Sequence, residues 1–500
     1  MDRTSGRAAN ITRALIALAV FALSDVAGGA ALGEAHSGVV RAAAFGGVVR
    51  AEAGDGLAIT RPSLARAMRL AAADPSPSAP QASAALSRRA DWQMTLTPPG
   101  VNPWAEITAI EPKSPAARAK LKAGDRIRQV NGAASDSESH FVDARRATRG
   151  GVPVQLIIER AGKSRVIKFT PRALPLEADP KLDIEYSTVS MPAGYRLRTI
   201  ITRPAGADHT TPLPSLILFP WLSCASVEVL NKEANGMDRL LAGILRDSGF
   251  LTLRVERPGV GDSEGPPCSQ TDLKTEIAGE LIALEQLKSQ PDFDPNRLFV
   301  LGMSLGGGLA PLIAQDEKVR GYVSVAGVVK TWFEHMMEIE RRRLTLSGRT
   351  PSEVNDAMSG YAELYTEYLI RGRTPGEIIQ ERPALKPLWT DEPATQYGRP
   401  ATYYTELQTL NLESAWQKVS VPTLIVAGEY DWIMSQDDYD RMATLVNRNS
   451  PGAATLVRWP RASHEMLQYA SREAAFKEEG GTFDDALTAL VTTWLRDQAR

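Results

Sequence analysis

The sequence predicts an α/β fold, with a mostly parallel sheet, a helical cap insertion and a small β-rich module in front. Three observations predict it. Residues 176–500 alternate short apolar runs with longer helical patterns, as a sheet covered on both faces requires. Residues 89–173 pack several strand-like runs and tight-turn dipeptides into a short span. One apolar run, starting at Leu298, passes through Gly302-Met303-Ser304-Leu305-Gly306 into a helix-like stretch.

Composition narrows the function classes. The chain has 500 residues, 43% of them hydrophobic, so it can bury a large core. Lys plus Arg number 57 against 59 for Asp plus Glu, a formal net charge of −2. That balance offers neither a basic surface for nucleic acid nor an acidic tail for a charged partner. No apolar run reaches the roughly 18 residues that a membrane-spanning helix needs.

Residues 1–30 read as a signal peptide. Arg3, Arg7 and Arg13 precede an apolar run from Ala14 to Leu23, and small residues follow at Ala27 to Ala31, where cleavage is expected. An uncleaved anchor helix is the alternative. With no cysteine near that site, a lipoprotein anchor is not expected. The reading places the protein in an oxidising space, periplasmic or secreted. Residues 31–88 are rich in Ala, Pro and Ser and read as a linker, with a short helix at Leu64 to Ala73. The chain has two cysteines, Cys224 and Cys268, an even pair that suggests one disulfide in an exported protein. Two buried thiols are the alternative.

Within residues 89–173, Trp92, Met94 and Leu96 alternate as in a strand, and Ile107 to Ile110 is a second. Ser114-Pro115 opens a helix, because serine caps and proline suits the first turn. Arg126 to Val130 is a strand that ends on Asn131-Gly132. His140 to Thr148 is an amphipathic helix, and Val154–Ile158 pairs with Val166–Phe169. The run Ser114-Pro115-Ala116-Ala117-Arg118-Ala119-Lys120-Leu121-Lys122-Ala123-Gly124-Asp125-Arg126-Ile127, with Val130-Asn131-Gly132, resembles a bacterial PDZ domain. The resemblance implies a groove between a strand and a helix that takes an extended peptide or a protein C-terminus. Its carboxylate-binding loop falls near Arg89 to Trp92, without the usual glycines. A spacer or docking face is the alternative use.

In residues 176–500, Leu182–Val189 and Leu197–Thr202 read as an antiparallel pair. Buried strands follow at Leu216–Phe219, Leu251–Val255, Leu298–Leu301, Tyr322–Val325, Thr423–Ala427 and Thr455–Val457. Asp272 to Lys288 is one of the intervening helices. Residues 329–416 break the alternation with a long helical insertion.

Gly302-Met303-Ser304-Leu305-Gly306 puts a serine on a sharp strand-to-helix turn, which exposes its hydroxyl beside a helix N-terminus. A nucleophilic serine needs a base. Of the five histidines, His36, His140, His209, His335 and His464, only His464 follows the last sheet strand, where an order of Ser, acid, His puts the base. The orienting acid is Asp431, just beyond the Thr423–Ala427 strand, with Glu429 as runner-up. Gly302-Met303-Ser304-Leu305-Gly306, Gly428-Glu429-Tyr430-Asp431, Ser463-His464 and Arg257-Pro258-Gly259-Val260-Gly261-Asp262-Ser263-Glu264-Gly265 together resemble the α/β-hydrolase superfamily over about 320 residues. The resemblance implies an oxyanion hole from the N–H of Leu305 and a second N–H on the loop after the third strand. That loop reads Phe219-Pro220-Trp221-Leu222-Ser223-Cys224 in place of the frequent His-Gly. Proline has no N–H, so the donor falls on Trp221, with Leu222 as fallback. In this fold Cys224 and Cys268 lie on loops at the same sheet edge, and a bridge between them would stiffen the oxyanion loop.

The cap aromatics Trp332, Phe333, Tyr361, Tyr365, Tyr368, Trp389, Tyr403 and Tyr404 either line an acyl pocket or pack. Arg341 to Arg343 either receive an anionic group or face solvent. No metal-ligand cluster, phosphate-binding loop or dinucleotide fingerprint is present, so no cofactor is expected. The expected function is a serine hydrolase of carboxylic esters acting through Ser304, Asp431 and His464. A peptidase or aminoacyl-amide hydrolase is the second reading, and a non-catalytic scaffold that binds a partner is the third.

Overall fold

The computed structural model describes residues 85–97, 104–230 and 235–500. The expected signal peptide, the expected helix at Leu64 to Ala73 and nearly all of the expected linker lie outside the described residues.

The N-terminal module holds β1 (Ala90–Asp91), β2 (Met94–Thr97), β3 (Ala105–Ile110), α1 (Pro115–Arg118), β4 (Arg126–Val130), β5 (Ala133–Ala134), α2 (Glu138–Arg146), β6 (Val154–Arg160), β7 (Lys163–Phe169) and β8 (Arg172–Ala173). Its sheet runs β2-β3-β4-β6-β7, which leaves β2 at an edge, and α2 packs on β4 and β5. Ser114 caps α1 by accepting the Ala117 N–H, as the Ser-Pro signal predicts. Helix α2 starts two residues earlier than its periodicity suggests, because Ser137 caps it on the His140 N–H. Trp92 and Gln93 fall outside the strand that the alternation predicts: Gln93 has φ +53, which breaks the ladder. Trp92 is nonetheless buried and packs edge-on against Phe141 and Phe169. The core was legible there although the strand was not.

The main sheet has eight strands in the order β18-β17-β14-β13-β11-β12-β10-β9. They are β9 (Leu182–Ser190), β10 (Arg196–Pro204), β11 (Leu213–Phe219), β12 (Leu251–Val255), β13 (Phe293–Met303), β14 (Val319–Val325), β17 (Thr423–Gly428) and β18 (Ala454–Trp459). Strands β9 and β10 are antiparallel, and β10 meets β12 antiparallel; from β12 to β18 all neighbours are parallel. The period of two sorts the core. Ile217 and Phe219 face one cluster with α4 (Leu273–Lys288) and α5 (Leu305–Ile313), whereas Leu216 and Leu218 face the other with α3 (Gly236–Asp247).

The insertion between β14 and β17 is helical: α6 (Trp332–Leu346), α7 (Pro351–Tyr365), α8 (Pro375–Glu381), a small hairpin β15 (Thr395–Gln396) and β16 (Arg399–Pro400), then α9 (Ala401–Gln408) and α10 (Leu412–Gln417). Thr331, Thr350 and Thr374 each open a helix with a glutamate three residues on, forming reciprocal capping boxes.

The end of the linker reading needs correction. Leu86 is buried, and its carbonyl accepts from Arg198. Arg88 reaches Asp262 at 2.9 Å and Glu228 at 2.7 Å, and the Arg89 N–H donates to Asp262 at 2.8 Å. These groups tie the module to the main domain. Among the described residues no helix is long and apolar enough to cross a membrane.

Candidate active site

Three turns at the C-terminal ends of sheet strands bring the predicted side chains together. Strand β13 runs into α5 at Ser304, which has φ +53 and ψ −124. That conformation aims the side chain outward. The turn survives because the flanking residues have no side chain: a Cβ on Gly306 would lie 2.0 Å from the Phe219 carbonyl oxygen, and one on Gly302 would lie 2.5 Å from that of Gly306. His464 follows β18, and its Nε2 lies 3.0 Å from Ser304 Oγ. Its Nδ1 lies 2.9 Å from Asp431 Oδ2, on the turn after β17.

Asp431 is held from several sides. It accepts the Ile433 N–H at 2.8 Å, the Met434 N–H at 2.9 Å and the Tyr439 hydroxyl at 2.6 Å. Burial pushes its carboxyl up, but His464, Tyr439 and the Met434 N–H more than offset this and keep it below its ordinary value. Burial likewise disfavours a charged His464, yet the Asp431 carboxylate wins and raises the imidazole above its ordinary 6.5. The runner-up, Glu429, turns to the Arg461 N–H instead.

The Leu305 N–H opens α5 and has no helical acceptor of its own. Across from it, the loop after β11 is anchored through its carbonyls. Arg257 donates to those of Trp221 and Ser223, and Arg399 to that of Leu222. Both guanidiniums meet Glu276, at 2.9 and 2.7 Å. The N–H groups of Trp221 and Leu222 are left without a protein acceptor among the described residues.

Residues 235–479 match the family model described as alpha/beta hydrolase family, and residues 106–160 match a PDZ domain model. The chain carries a PDZ domain followed by an α/β-hydrolase domain. It is 24% identical over 300 residues to esterase EstD of Thermotoga maritima. The match covers 58% of this chain and 64% of that relative, less than two thirds of its length. An esterase of Pyrococcus furiosus is similar at 12% identity and a TM-score of 0.39, over 65% of this chain and 96% of that one. Est1E of Butyrivibrio proteoclasticus is similar at 16% identity and a TM-score of 0.39, over 63% of this chain and 98% of that one. Neither structural likeness bears on substrate.

In the hydrolase domain Cys224 and Cys268 are bonded, with Cα atoms 6.1 Å apart. They join the loop after β11 to the end of the loop that carries Asp262. A cavity of about 710 Å³ opens over Ser304 and His464. Of the cap aromatics, Trp332, Tyr361, Tyr365 and Trp389 line it, while Tyr368, Tyr403 and Tyr404 are buried in packing. Two of the cap arginines have protein partners, although Arg343 still borders the cavity. Arg342 donates to the carbonyls of Trp432 and Ile433, and Arg343 pairs with Glu340 at 2.6 Å.

Two contributors to the cavity have no sequence signature. His335 is 2% exposed and lines the cavity beside Trp332. Burial, with Arg342 and His464 adding to it, pushes its pKa down to about 3, so it stays neutral. The other is helix α2 of the PDZ domain, which presents Phe141, Val142, Arg145 and Arg146 to the same cavity. Nothing local in the sequence marks that encounter, since it joins residues far apart in the chain.

Proposed function

We propose that the protein is an exported serine hydrolase that cleaves carboxylic esters. The observation that carries the reading is the hydrogen-bonded chain from Ser304 Oγ through His464 to Asp431, opening on a cavity large enough for a sizeable acyl group. Ser304 attacks the ester carbonyl while His464 Nε2 takes its proton. Asp431 fixes the tautomer with the proton on Nδ1 and stabilises the imidazolium. The N–H groups of Leu305 and Trp221 receive the oxyanion. His464 then returns the proton to the departing alcohol, and water releases the acid by the same route in reverse. Arg257 and Arg399 hold the Trp221 loop by its carbonyls and so support its position. The Cys224–Cys268 bond supports the assignment to an oxidising compartment.

The test is a fluorophosphonate probe together with a panel of p-nitrophenyl esters. The folded protein is expected to label at Ser304 and to turn esters over, and Ser304→Ala is expected to stop both. A folded wild type that neither labels nor reacts would overturn the reading in favour of a partner-binding scaffold. Turnover of aminoacyl amides in preference to esters would replace the esterase with a peptidase.

A further inference from the structure

We propose that Arg145 and Arg146, on the PDZ helix, form an anion-binding subsite of the hydrolase cavity, so that the preferred substrates are esters whose chain carries a carboxylate. The inference rests on the ester-hydrolase reading and names its substrate class.

The buried arginines of the hydrolase domain set the standard. Arg254 meets Glu177 at 2.8 Å, Arg203 meets Asp292 at 2.8 Å, Arg257 meets Glu276 at 2.9 Å and Arg399 meets Glu276 at 2.7 Å. Desolvating a guanidinium is expensive, and each of these has a carboxylate to offset it. Arg145 and Arg146 are half-buried, the Arg146 side chain 23% exposed, and neither has a close carboxylate to offset what burial they have. Arg145 has no carboxylate within ion-pair distance among the described residues, and its guanidinium lies 5.6 Å from the centre of the Trp92 ring. Arg146 has Asp143 at 3.9 Å, and that carboxylate is already bonded by the Ser269 hydroxyl. The partial negative charge of the α2 C-terminus offsets only a fraction. The consequence appears in their acidity: burial pulls the Arg146 guanidinium down to about 10 and lowers that of Arg145 as well.

Both arginines border the cavity that holds Ser304 and His464. They share a face of the helix with Phe141 and Val142, whose apolar side chains border the same cavity. Asp91 also borders the cavity and acts electrostatically on Arg145, as Asp143 does on Arg146, and a further acidic group stands at the start of the helix. Glu138 stands beside Asp391 and Glu392 of the cap, about 10 Å from Arg145 at the helical rise. Along α2 the cavity wall thus runs from Glu138 to two arginines without a close ion pair, the end assigned here to a carboxylate on the acyl chain or leaving group. Two planar guanidiniums suit a carboxylate, which can accept paired hydrogen bonds.

A carboxylate-bearing chain could be a dicarboxylic acyl group or a peptide with a free C-terminus, and binding to the full-length Ser304→Ala protein separates these. Titrations by calorimetry compare monomethyl octanedioate with the dimethyl ester, and a short N-acetylated apolar peptide with its C-terminal amide. At least one carboxylate form is expected to bind about tenfold more tightly than its neutral partner, a preference that Arg145→Gln/Arg146→Gln abolishes and Arg145→Lys/Arg146→Lys partly restores. Arg165→Gln, on an exposed strand outside the cavity, serves as the control and leaves the preference in place. The pair that discriminates names the source. Equal binding of both forms of both pairs, or discrimination that persists in the folded double glutamine variant, overturns the proposal. Should that variant not fold, Arg146→Gln alone must still reduce the preference. Because Ser304→Ala is used, the outcome is independent of turnover. A failure of fluorophosphonate labelling in the wild type would count against the hydrolase reading alone.

Discussion

The floor of the cavity is built from three sheet-end turns, whereas its far wall is a helix of another domain held in place by ion pairs. Ser304, Asp431 and His464 each sit within a few residues of a strand end, so the backbone places them. Phe141 and Arg145 reach the same space through docking contacts, among them Arg88 and Arg89 on Asp262 and Glu228 and Ser139 on Glu392. A turn on a buried parallel strand is set by hydrogen bonds along the whole sheet and resists single changes. A docked helix depends on a few charged side chains. The residues proposed for the chemistry thus lie on the sheet-held part of the molecule, and the helix proposed to select substrate lies on the part most open to change.

The largest effect is expected on the floor. Asp431→Asn should cost about 10⁴ in kcat, as removal of an orienting carboxylate does when the imidazole takes the wrong tautomer. The same change sharpens the pH dependence. His464 must be neutral to accept the serine proton, and its pKa is raised above 6.5, chiefly by Asp431 acting against burial. Wild-type kcat/KM should therefore fall as pH drops through that raised value. In Asp431→Asn the acid limb should move to lower pH even as the plateau falls. A limb that stays where it was would assign it to another group.

Next comes the covalent strap on the loop after β11. The Cys224–Cys268 bond spans 44 residues of sequence, and the chain-entropy account assigns it about 4 kcal/mol. Cys224→Ser/Cys268→Ser should lower the melting temperature. Its kcat should fall by less than the roughly 10²–10³ that outright loss of an oxyanion donor costs. An unchanged kcat would mean that Arg257 and Arg399 position the loop by themselves.

The smallest effect is expected at the dock. Glu228 takes Arg88, Arg89 and the Tyr186 hydroxyl with its own side chain buried. Glu228→Gln leaves cations without their anion and should destabilise the protein by about 3 kcal/mol in denaturant unfolding. Limited proteolysis should then release the PDZ domain more readily. If neither measure moves, the contacts of Asp262 and the Ser139–Glu392 bond carry the docking.

Much of this was legible in the sequence where a local rule decides the outcome. The strand Leu251–Val255 reads off as one apolar run, and Asp272 before the helix Leu273–Lys288 reads off as a cap. The Gly-x-Ser-x-Gly turn announces itself because only glycine tolerates the approaches at 302 and 306. His464 follows from scarcity and chain order. The commitments of long polar side chains were not legible. Arg342 and Arg343 read equally well as an anion site or a solvated face, and their carbonyl and carboxylate partners settled the matter for packing. Gln93, with positive φ, ended a strand that alternation alone extends to Trp92.

The sequence by itself determined the layered fold, the strand-end turns and the three residues proposed for catalysis, because hydrophobic period and turn sterics act over a few residues at a time. The sequence offered the Cys224–Cys268 bond and the structure bears it out, but only the tertiary structure decided that Arg88 binds across to Asp262 and that a PDZ helix walls the cavity above Ser304. Those contacts join positions far apart in the chain. Their energy comes from desolvated charge, a covalent bond and buried surface, none of which leaves a periodic mark in the residues that supply it.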